Sequence, residues 1–143
     1  MCAGDHIARV EKERRQFIRH SVRRGIAHVA VAAGQVVGYS VLDHSFFGRG
    51  FIAMLMVHPR HRRTGIGSAL VRRVEDLCKS DTIFTSTNES NLPMQALLEK
   101  LGYRRSGIVR DLDPGDTELI YSKRLRGQTT TLRRVPCRKG CAA

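Results

Sequence analysis

The chain has 143 residues, 41% of them apolar, which suits one domain with a packed core and excludes wholesale disorder. Its longest apolar runs have the length of a strand and its N-terminus is charged, so we expect neither a membrane-spanning helix nor a secretory signal, and we predict a cytoplasmic protein. The formal charge of +12, from 25 basic and 13 acidic residues, leaves a nucleic-acid partner open as a hypothesis.

The first half of the chain predicts one helix followed by three strands. The predicted elements are, in chain order, a helix over about residues 7–24 and strands over 27–33, 36–42 and 51–57. Apolar residues at helical spacing indicate the helix, and the first two strands form a hairpin around Gly34 and Gln35. The third strand is a continuous apolar run that Pro59 ends, which is typical of a strand buried on both faces.

The second half predicts two helices and three strands. They are, in chain order, a helix over 65–79, a strand over 83–87, a helix over 93–102 and strands over 103–109 and 118–123. The last two strands are joined by a turn around Pro114 and Gly115. This order predicts a mixed α/β sheet with helices on its faces, in one domain over residues 1–125. Residues 126–143 are polar and basic without periodicity, so we expect a disordered tail.

The four cysteines predict free thiols. Cys2 and Cys78 stand alone, and Cys137 and Cys141 lie four residues apart with no histidine nearby. A structural zinc site needs four ligands, so we predict no metal site.

The segment Arg62 to Gly67 (Arg-Arg-Thr-Gly-Ile-Gly) joins an apolar strand to an amphipathic helix. The first N–H groups of a helix have no partner inside it, and with the positive end of the helix dipole they suit a phosphate or pyrophosphate. The two glycines let the backbone approach such a group, and Arg60 adds to the positive charge. A Walker loop would need a lysine here, and a dinucleotide fingerprint would need a third glycine in place of Leu70. Taken alone, the segment fits an ordinary glycine-rich turn equally well.

A second segment, Asn91 to Tyr103 (Asn-Leu-Pro-Met-Gln-Ala-Leu-Leu-Glu-Lys-Leu-Gly-Tyr), places an asparagine at the mouth of a short helix that ends in Leu-Gly-aromatic. The two segments together resemble the GNAT superfamily, the acetyl-CoA-dependent N-acetyltransferases. Its members carry Gln/Arg-x-x-Gly-x-Gly/Ala and, later in the chain, Asn-x-x-Ala-x-x-x-Tyr-Glu-Lys-x-Gly-Phe. The resemblance covers roughly residues 26–125. It implies a mixed, mostly antiparallel twisted sheet flanked by helices, whose usual first strand is missing from this chain.

The resemblance also implies a cofactor, acetyl-CoA, and a way of holding it. The family's pyrophosphate-binding loop falls on Arg62, Arg63, Thr64, Gly65, Ile66 and Gly67. The edge of the preceding strand, at Leu55, Met56 and Val57, would pair with the pantetheine arm where that strand splays from its neighbour. Asn91 would also hold the arm, and the N–H of Val57 would meet the thioester oxygen as it becomes an oxyanion. The implied reaction is direct attack of a neutral amine on the thioester.

This chain departs from the family at two usual catalytic positions. Many relatives donate a proton from a tyrosine where Leu98 stands here, and some use a glutamate as base at the position of Ser86. The replacement candidates are polar side chains near the expected substrate groove: Glu89, Tyr121, His58, His44 and Asp43. Each of them also fits a purely structural or solvated role, so the acid and the base stay unassigned.

Three functions remain as hypotheses. The first is an N-acetyltransferase that moves an acetyl group from acetyl-CoA to a primary amine of a small molecule or peptide. The second is a CoA-binding module with weak or no catalysis, which Leu98 and Ser86 suggest. The third is a nucleic-acid-binding protein, for which the chain lacks an aromatic-rich surface and a recognition-helix signature.

The first helix and the sheet edge beside it suggest two further expectations. The arginines of that helix favour acidic or phosphorylated acceptors, because in the family this helix helps to wall the substrate site. A missing first strand would expose a sheet edge that a second subunit can cover, so a homodimer is a further hypothesis.

Overall fold

The computed structural model describes residues 12–125, and all structural statements concern that range. The elements are, in chain order, α1 (Lys12–Arg23), β1 (Ala27–Ala32), β2 (Gln35–Phe46), β3 (Arg49–Val57), a 3₁₀ turn (Pro59–His61), α2 (Ile66–Leu77), β4 (Thr82–Asn88), α3 (Leu92–Lys100), β5 (Arg104–Asp113) and β6 (Asp116–Arg124). The predicted tail, residues 126–143, and residues 7–11 of the predicted first helix lie outside the described residues.

Six strands form one sheet in the order β1-β2-β3-β4-β6-β5. Every neighbouring pair is antiparallel except β3 and β4, which run parallel because α2 carries the chain back between them. The predicted mixed, mostly antiparallel sheet with flanking helices is therefore confirmed. The expected absence of the family's first strand concerns residues before Lys12, which lie outside the described residues.

The helices pack on both faces of the sheet through two apolar clusters. The larger cluster includes Leu42, Ile52, Val71, Val74 and Leu98, and it joins the sheet to α2 and α3. In the smaller cluster Ile18 of α1 packs with Tyr39 and Val41 of β2. Val41 and Leu42 are successive residues of one strand, so they point to opposite faces. α1 therefore covers one face of the sheet, and α2 and α3 cover the other.

The hairpin of β2 and β3 is longer than the sequence predicted. β2 runs on to Phe46, so Asp43 lies within a strand and the predicted end of this strand at Leu42 was wrong. The turn consists of Phe47 and Gly48, with φ angles of 51° and 70°. A phenylalanine rarely adopts a positive φ, and the sequence therefore carried no signal for so tight a turn.

No helix within residues 12–125 is long and apolar enough to cross a membrane. Over the same residues, no group of three or more His, Cys, Asp or Glu side chains is arranged to hold a metal ion. Cys78 is buried and forms no disulfide bond within residues 12–125, whereas the other three cysteines lie outside the described part of the chain.

Candidate active site

The parallel strands β3 and β4 run side by side for only three residue pairs. The pairs are Gly50–Ile83, Phe51–Phe84 and Ile52–Thr85. Beyond them β3 continues to Val57 paired with β2, and β4 continues to Asn88 paired with β6. The edge of β3 over residues 53–57 therefore borders a gap between the two strands, as the resemblance led us to expect.

A β-bulge in β3 marks the point where the strands part. The register between β2 and β3 shifts between Val41 and Leu42, and it leaves Ala53 of β3 without a residue opposite. A bulge bends its strand and increases the local twist. Just before it, the buried Thr85 hydroxyl of β4 donates a hydrogen bond of 3.0 Å to the carbonyl oxygen of Ile52. This bond holds the last residue pair together, and the bulge then turns β3 away from β4.

Hydrogen bonding alternates along an antiparallel pair, and this decides which groups of β3 face the gap. The N–H of His58, just after β3, donates to the carbonyl of Val37 at 2.8 Å, so these opposed residues form a hydrogen-bonded pair. The adjacent pair, Val57 with Gly38, is then a non-hydrogen-bonded pair. The N–H and C=O of Val57 consequently point away from β2 and toward the gap.

The same alternation separates the three predicted residues of the β3 edge. Leu55, two residues from Val57, also turns its N–H and C=O toward the gap, whereas those of Met56 point toward β2. The carbonyl of Val57 accepts a hydrogen bond of 3.3 Å from Nε of Arg62, which agrees with its direction. Leu55 and Val57 therefore offer backbone groups to a ligand in the gap, whereas the side chain of Met56 packs against the cluster under α1.

The loop from β3 to α2 is held by its own hydrogen bonds. Nδ1 of His58 accepts from the N–H of Arg60 at 3.2 Å, and the Thr64 hydroxyl donates to a carbonyl of the preceding turn. Arg63 and Gly65 have φ angles of 60° and 89°. Gly65 caps α2 in this left-handed conformation, which a residue without Cβ adopts at little cost.

α2 begins with three N–H groups that have no acceptor among the described residues. The first helical bond runs from the N–H of Ala69 to the carbonyl of Gly65 at 2.9 Å. The preceding N–H groups, those of Ile66, Gly67 and Ser68, bond to no group within residues 12–125. A Cβ added to Gly65 would meet no atom within 4 Å, so the space beside the helix start is open. Free donors and the positive helix dipole make this start suitable for an anion.

The second predicted segment lies beside the first. Asn91 caps α3, and its Oδ1 accepts from the N–H of Met94 at 3.3 Å. A Cβ added to Gly67 would lie 3.3 Å from Cδ2 of Leu97, so the start of α2 contacts the middle of α3. The glycine loop follows β3 and Asn91 follows β4, and these two strands are parallel. The glycine loop and the asparagine are thus at the same end of the sheet as the gap.

The candidates for proton transfer lie in different surroundings. Glu89 is exposed, and its N–H donates to the carbonyl of Thr117 at 2.7 Å. Tyr121 is only 2% exposed, because its face of β6 belongs to the core under α2 and α3. Leu98 is completely buried in that core and has no proton to give. Ser86 is half-buried on the other face of the sheet.

The remaining candidates have structural partners. Nε2 of His44 accepts from the N–H of Lys79, in the loop after α2, at 3.2 Å. The carboxylate of Asp43 accepts from the N–H and the hydroxyl of Ser45 at 3.0 and 2.8 Å. His58 is occupied in the loop described above. These contacts favour the structural interpretation for all three side chains.

One acidic side chain near the gap was not predicted. Glu118 of β6 lies opposite Asn88, the last residue of β4, and is half-exposed. The alternation of β6 contained the signal, because the neighbouring Leu119 and Tyr121 are apolar and buried.

Two titratable groups distant from the gap have shifted pKa values. Burial, followed by the nearby Glu75 carboxylate, raises the pKa of Tyr103, so its phenol stays protonated. Nζ of Lys123 lies 2.9 Å from both oxygens of Glu75 and 5.5 Å from the centre of the Tyr103 ring, which ties α2 to β6. Burial, followed by the charge of Arg73, lowers the pKa of His28.

Comparisons with known proteins agree with this geometry. Residues 4–103 match the acetyltransferase (GNAT) family. A solved GNAT-family acetyltransferase from Bacillus cereus is 35% identical, with a TM-score of 0.75 and coverage of 80% of each chain. A mycothiol acetyltransferase from Saccharomonospora viridis is 33% identical over 94 residues, which are 64% of this chain but only 30% of that protein. A Bacillus anthracis protein solved in complex with acetyl coenzyme A is 18% identical, with a TM-score of 0.63 and coverage of 68% and 61% of the two chains, and it shares the fold. The chain therefore belongs to the acetyltransferase (GNAT) family, whose members use acetyl-CoA to acetylate amines.

Proposed function

We propose that the protein transfers an acetyl group from acetyl-CoA to a primary amine by direct attack of the amine on the thioester. The observation that carries the proposal is the gap between β3 and β4, which ends beside the free N–H groups of α2. An unpaired strand edge suits the amides of a pantetheine arm, because such an arm can add to the sheet as a strand would. The helix start suits the pyrophosphate.

Each part of acetyl-CoA has proposed partners. The pyrophosphate is assigned to the loop Arg62–Gly67, where the open space beside Gly65 supports a close approach. The pantetheine arm is assigned to the backbone groups of Leu55 and Val57 on one side and to Asn91 on the other. The exposed arginines of the loop supply positive charge for the phosphates.

The reaction needs few groups from the protein. Holding amine and thioester in line removes much of the barrier, because the reacting atoms no longer have to find one another. The N–H of Val57 points into the gap, and we assign to it the stabilisation of the oxyanion that forms at the thioester carbonyl. A thiolate is a tolerable leaving group, so transfer does not depend on a tyrosine at position 98.

The second candidate function is a CoA-binding module with weak or no catalysis. The observation that favours it is the absence of a proton donor at Leu98, which is fully buried in the core. Release of CoA thiol over a panel of primary amines separates the two functions. Tight binding of acetyl-CoA without acetylation of any amine would favour the module.

Replacement of Gly65 by valine tests the binding site. A valine there would fill the space that we assign to the pyrophosphate, so we expect thermal stabilisation by acetyl-CoA to disappear. Gly34→Val is the matched control, because Gly34 has a φ of 75° and equally open surroundings in the turn between β1 and β2. Both variants carry the same kind of backbone strain, so only Gly65→Val should lose the response to acetyl-CoA. Retained affinity in Gly65→Val would contradict the assignment.

A further inference from the structure

One face of β4 and β6 is buried and the other is not. The buried side chains include Ile83, Thr85, Thr87, Leu119 and Tyr121, and all of them are at most 7% exposed. The residues between them point to the opposite face and are half-exposed: Ser86, Asn88, Glu118 and Ile120. This half-exposed face borders the gap in which we place the thioester.

Glu118 lies at the height of the gap. Ile52 and Thr85 are the last residues paired between β3 and β4, and Asn88 lies three residues further along β4, beyond the point where the two strands part. Asn88 in turn lies opposite Glu118 of β6. Adjacent strands are about 4.8 Å apart, so the backbone of Glu118 is only one strand away from the edge of the gap.

Glu118 also shares its face with Ser86. Ser86 lies opposite Ile120, two residues along β6 from Glu118, and all three side chains are on the same side of the sheet. A carboxylate at Glu118 is therefore a diagonal neighbour of the position where some relatives carry their base.

Two other acidic groups nearby, Asp113 and Asp116, already have side-chain hydrogen-bond partners. Nδ2 of Asn88 donates to Asp113 at 2.9 Å, and the N–H and hydroxyl of Ser90 both donate to Asp116. Within residues 12–125 no side chain of β4 or β5 donates a hydrogen bond to Glu118, whose neighbours there are Asn88 and Val109. Its carboxylate is thus available to a ligand.

We propose, resting on the proposed function, that Glu118 binds the acceptor ammonium and takes up its proton. The acceptor is a primary amine with an apolar arm, which lies over Ile120 toward Phe84. Phe84 faces the same side at the start of β4 and forms a cluster with Phe46 and Phe51, whose rings stack with centroids 5.0 Å apart. Charge complementarity fixes the ammonium end, and the half-exposed apolar side chains fix the arm.

The ammonium gives a proton to the Glu118 carboxylate and becomes a neutral amine, whose lone pair forms the bond to the thioester carbon. The carbon–sulfur bond then breaks, and its electron pair leaves with the CoA thiolate. The second proton from nitrogen neutralises the thiolate, and Glu118 returns the first proton to solvent.

The test compares Glu118→Gln with Glu99→Gln, a control on the exposed side of α3. With 4-phenylbutylamine as acceptor, we expect Glu118→Gln to lower kcat/KM by about 100-fold or more and Glu99→Gln to leave it unchanged. Stabilisation by acetyl-CoA should be the same in both. Adding Ser86→Glu to Glu118→Gln should restore at least a tenth of the activity, because it returns a carboxylate to the same face. Ethanolamine, which lacks the apolar arm, should have a higher KM in the wild type.

Several outcomes would overturn the proposal. An unchanged kcat/KM in Glu118→Gln would do so, as would an equal or larger loss in Glu89→Gln, which would move the role to that residue. If the wild type acetylates no amine, the proposed function fails, and binding of 4-phenylbutylamine to the CoA-loaded protein then decides the role of Glu118. Equal affinity of the wild type and of Glu118→Gln for 4-phenylbutylamine would refute the proposed role of Glu118. The absence of binding by the wild type would refute it as well.

Discussion

Replacing Gly38 by alanine tests how closely α2 must approach the sheet beside the gap. A Cβ at this position would lie 2.8 Å from the carbonyl oxygen of Met56, a contact closer than real Cβ atoms make. It would also lie 3.2 Å from Cδ1 of Leu70 and 3.3 Å from Cγ2 of Ile66. The two side chains can yield by a few tenths of an ångström, but the carbonyl belongs to β3, so the strand itself must move.

The expected loss follows from these contacts. Overpacking a well-packed site typically costs about 1–3 kcal/mol, and removing a glycine from the unfolded chain returns about 0.4–1 kcal/mol. We therefore expect the free energy of unfolding to fall by about 1–2 kcal/mol, which lowers Tm by about 3–8 °C in a domain of this size. Since β3 moves, stabilisation by acetyl-CoA should fall as well.

Gly107→Ala is the matched control. Gly107 is also a strand glycine, but a Cβ there would lie 3.8 and 3.9 Å from atoms of Ile120, which is ordinary van der Waals contact. The free energy of unfolding of this variant, measured in urea, should differ from that of the wild type by no more than about 0.5 kcal/mol. Equal stability of the two variants would refute the steric argument. Full recovery of Gly38→Ala by Leu70→Ala would show that the clash is with a side chain and not with β3.

Two further predictions concern the charged groups away from the gap. Lys123→Met removes the ion-pair partner of the Glu75 carboxylate, whose side chain is 12% exposed. We expect the free energy of unfolding, measured in urea, to fall by about 1–3 kcal/mol. Adding Glu75→Gln should recover part of that loss, and a double variant less stable than Lys123→Met would contradict this account. The pKa of His28 in the folded protein is lowered from its usual 6.5. As the pH falls, the unfolded chain therefore binds a proton at a higher pH than the folded protein does. The contribution of His28 to the free energy of unfolding is complete above pH 6.5 and is lost as the pH drops toward the pKa of the folded protein. Thermal melts at pH 7.5 and 5.5 should show a smaller drop for His28→Gln than for the wild type, and equal drops would refute the assignment.

The order of elements could be predicted because each has a clear period or a clear end. The helical spacing of the second predicted helix and the proline after β3 needed no tertiary information. The two-residue length of the turn at Phe47 and Gly48 could not be predicted, since the positive φ of Phe47 is imposed by the two strands that the turn joins. The full burial of Tyr121 could not be predicted for a similar reason, because it depends on which face of β6 the helices cover.

The two parts of the candidate site differ in how far the sequence reveals them. The glycine loop and Asn91 are local, so their residue types and spacing already indicate an anion site and a helix cap. The gap is not local, because its opening depends on the unpaired Ala53 and on the bond from Thr85 to a strand 33 residues earlier. The sequence of Phe51 to Val57 predicts neither the unpaired residue nor this hydrogen bond.

This difference bears on how acetyl transfer can tolerate the changes at positions 86 and 98. The proposed contacts to acetyl-CoA are mostly backbone groups, whose direction is set by strand register and by the helix start, so side-chain changes in β3 leave them in place. The proton acceptor must be a side chain, but it need only face the gap from the correct side of the sheet. Register places Ser86 and Glu118 on the same half-exposed face although they belong to different strands. A carboxylate can therefore move from β4 to β6 without leaving the reach of the acceptor amine, which is why we expect the chain to keep its activity without a glutamate at position 86.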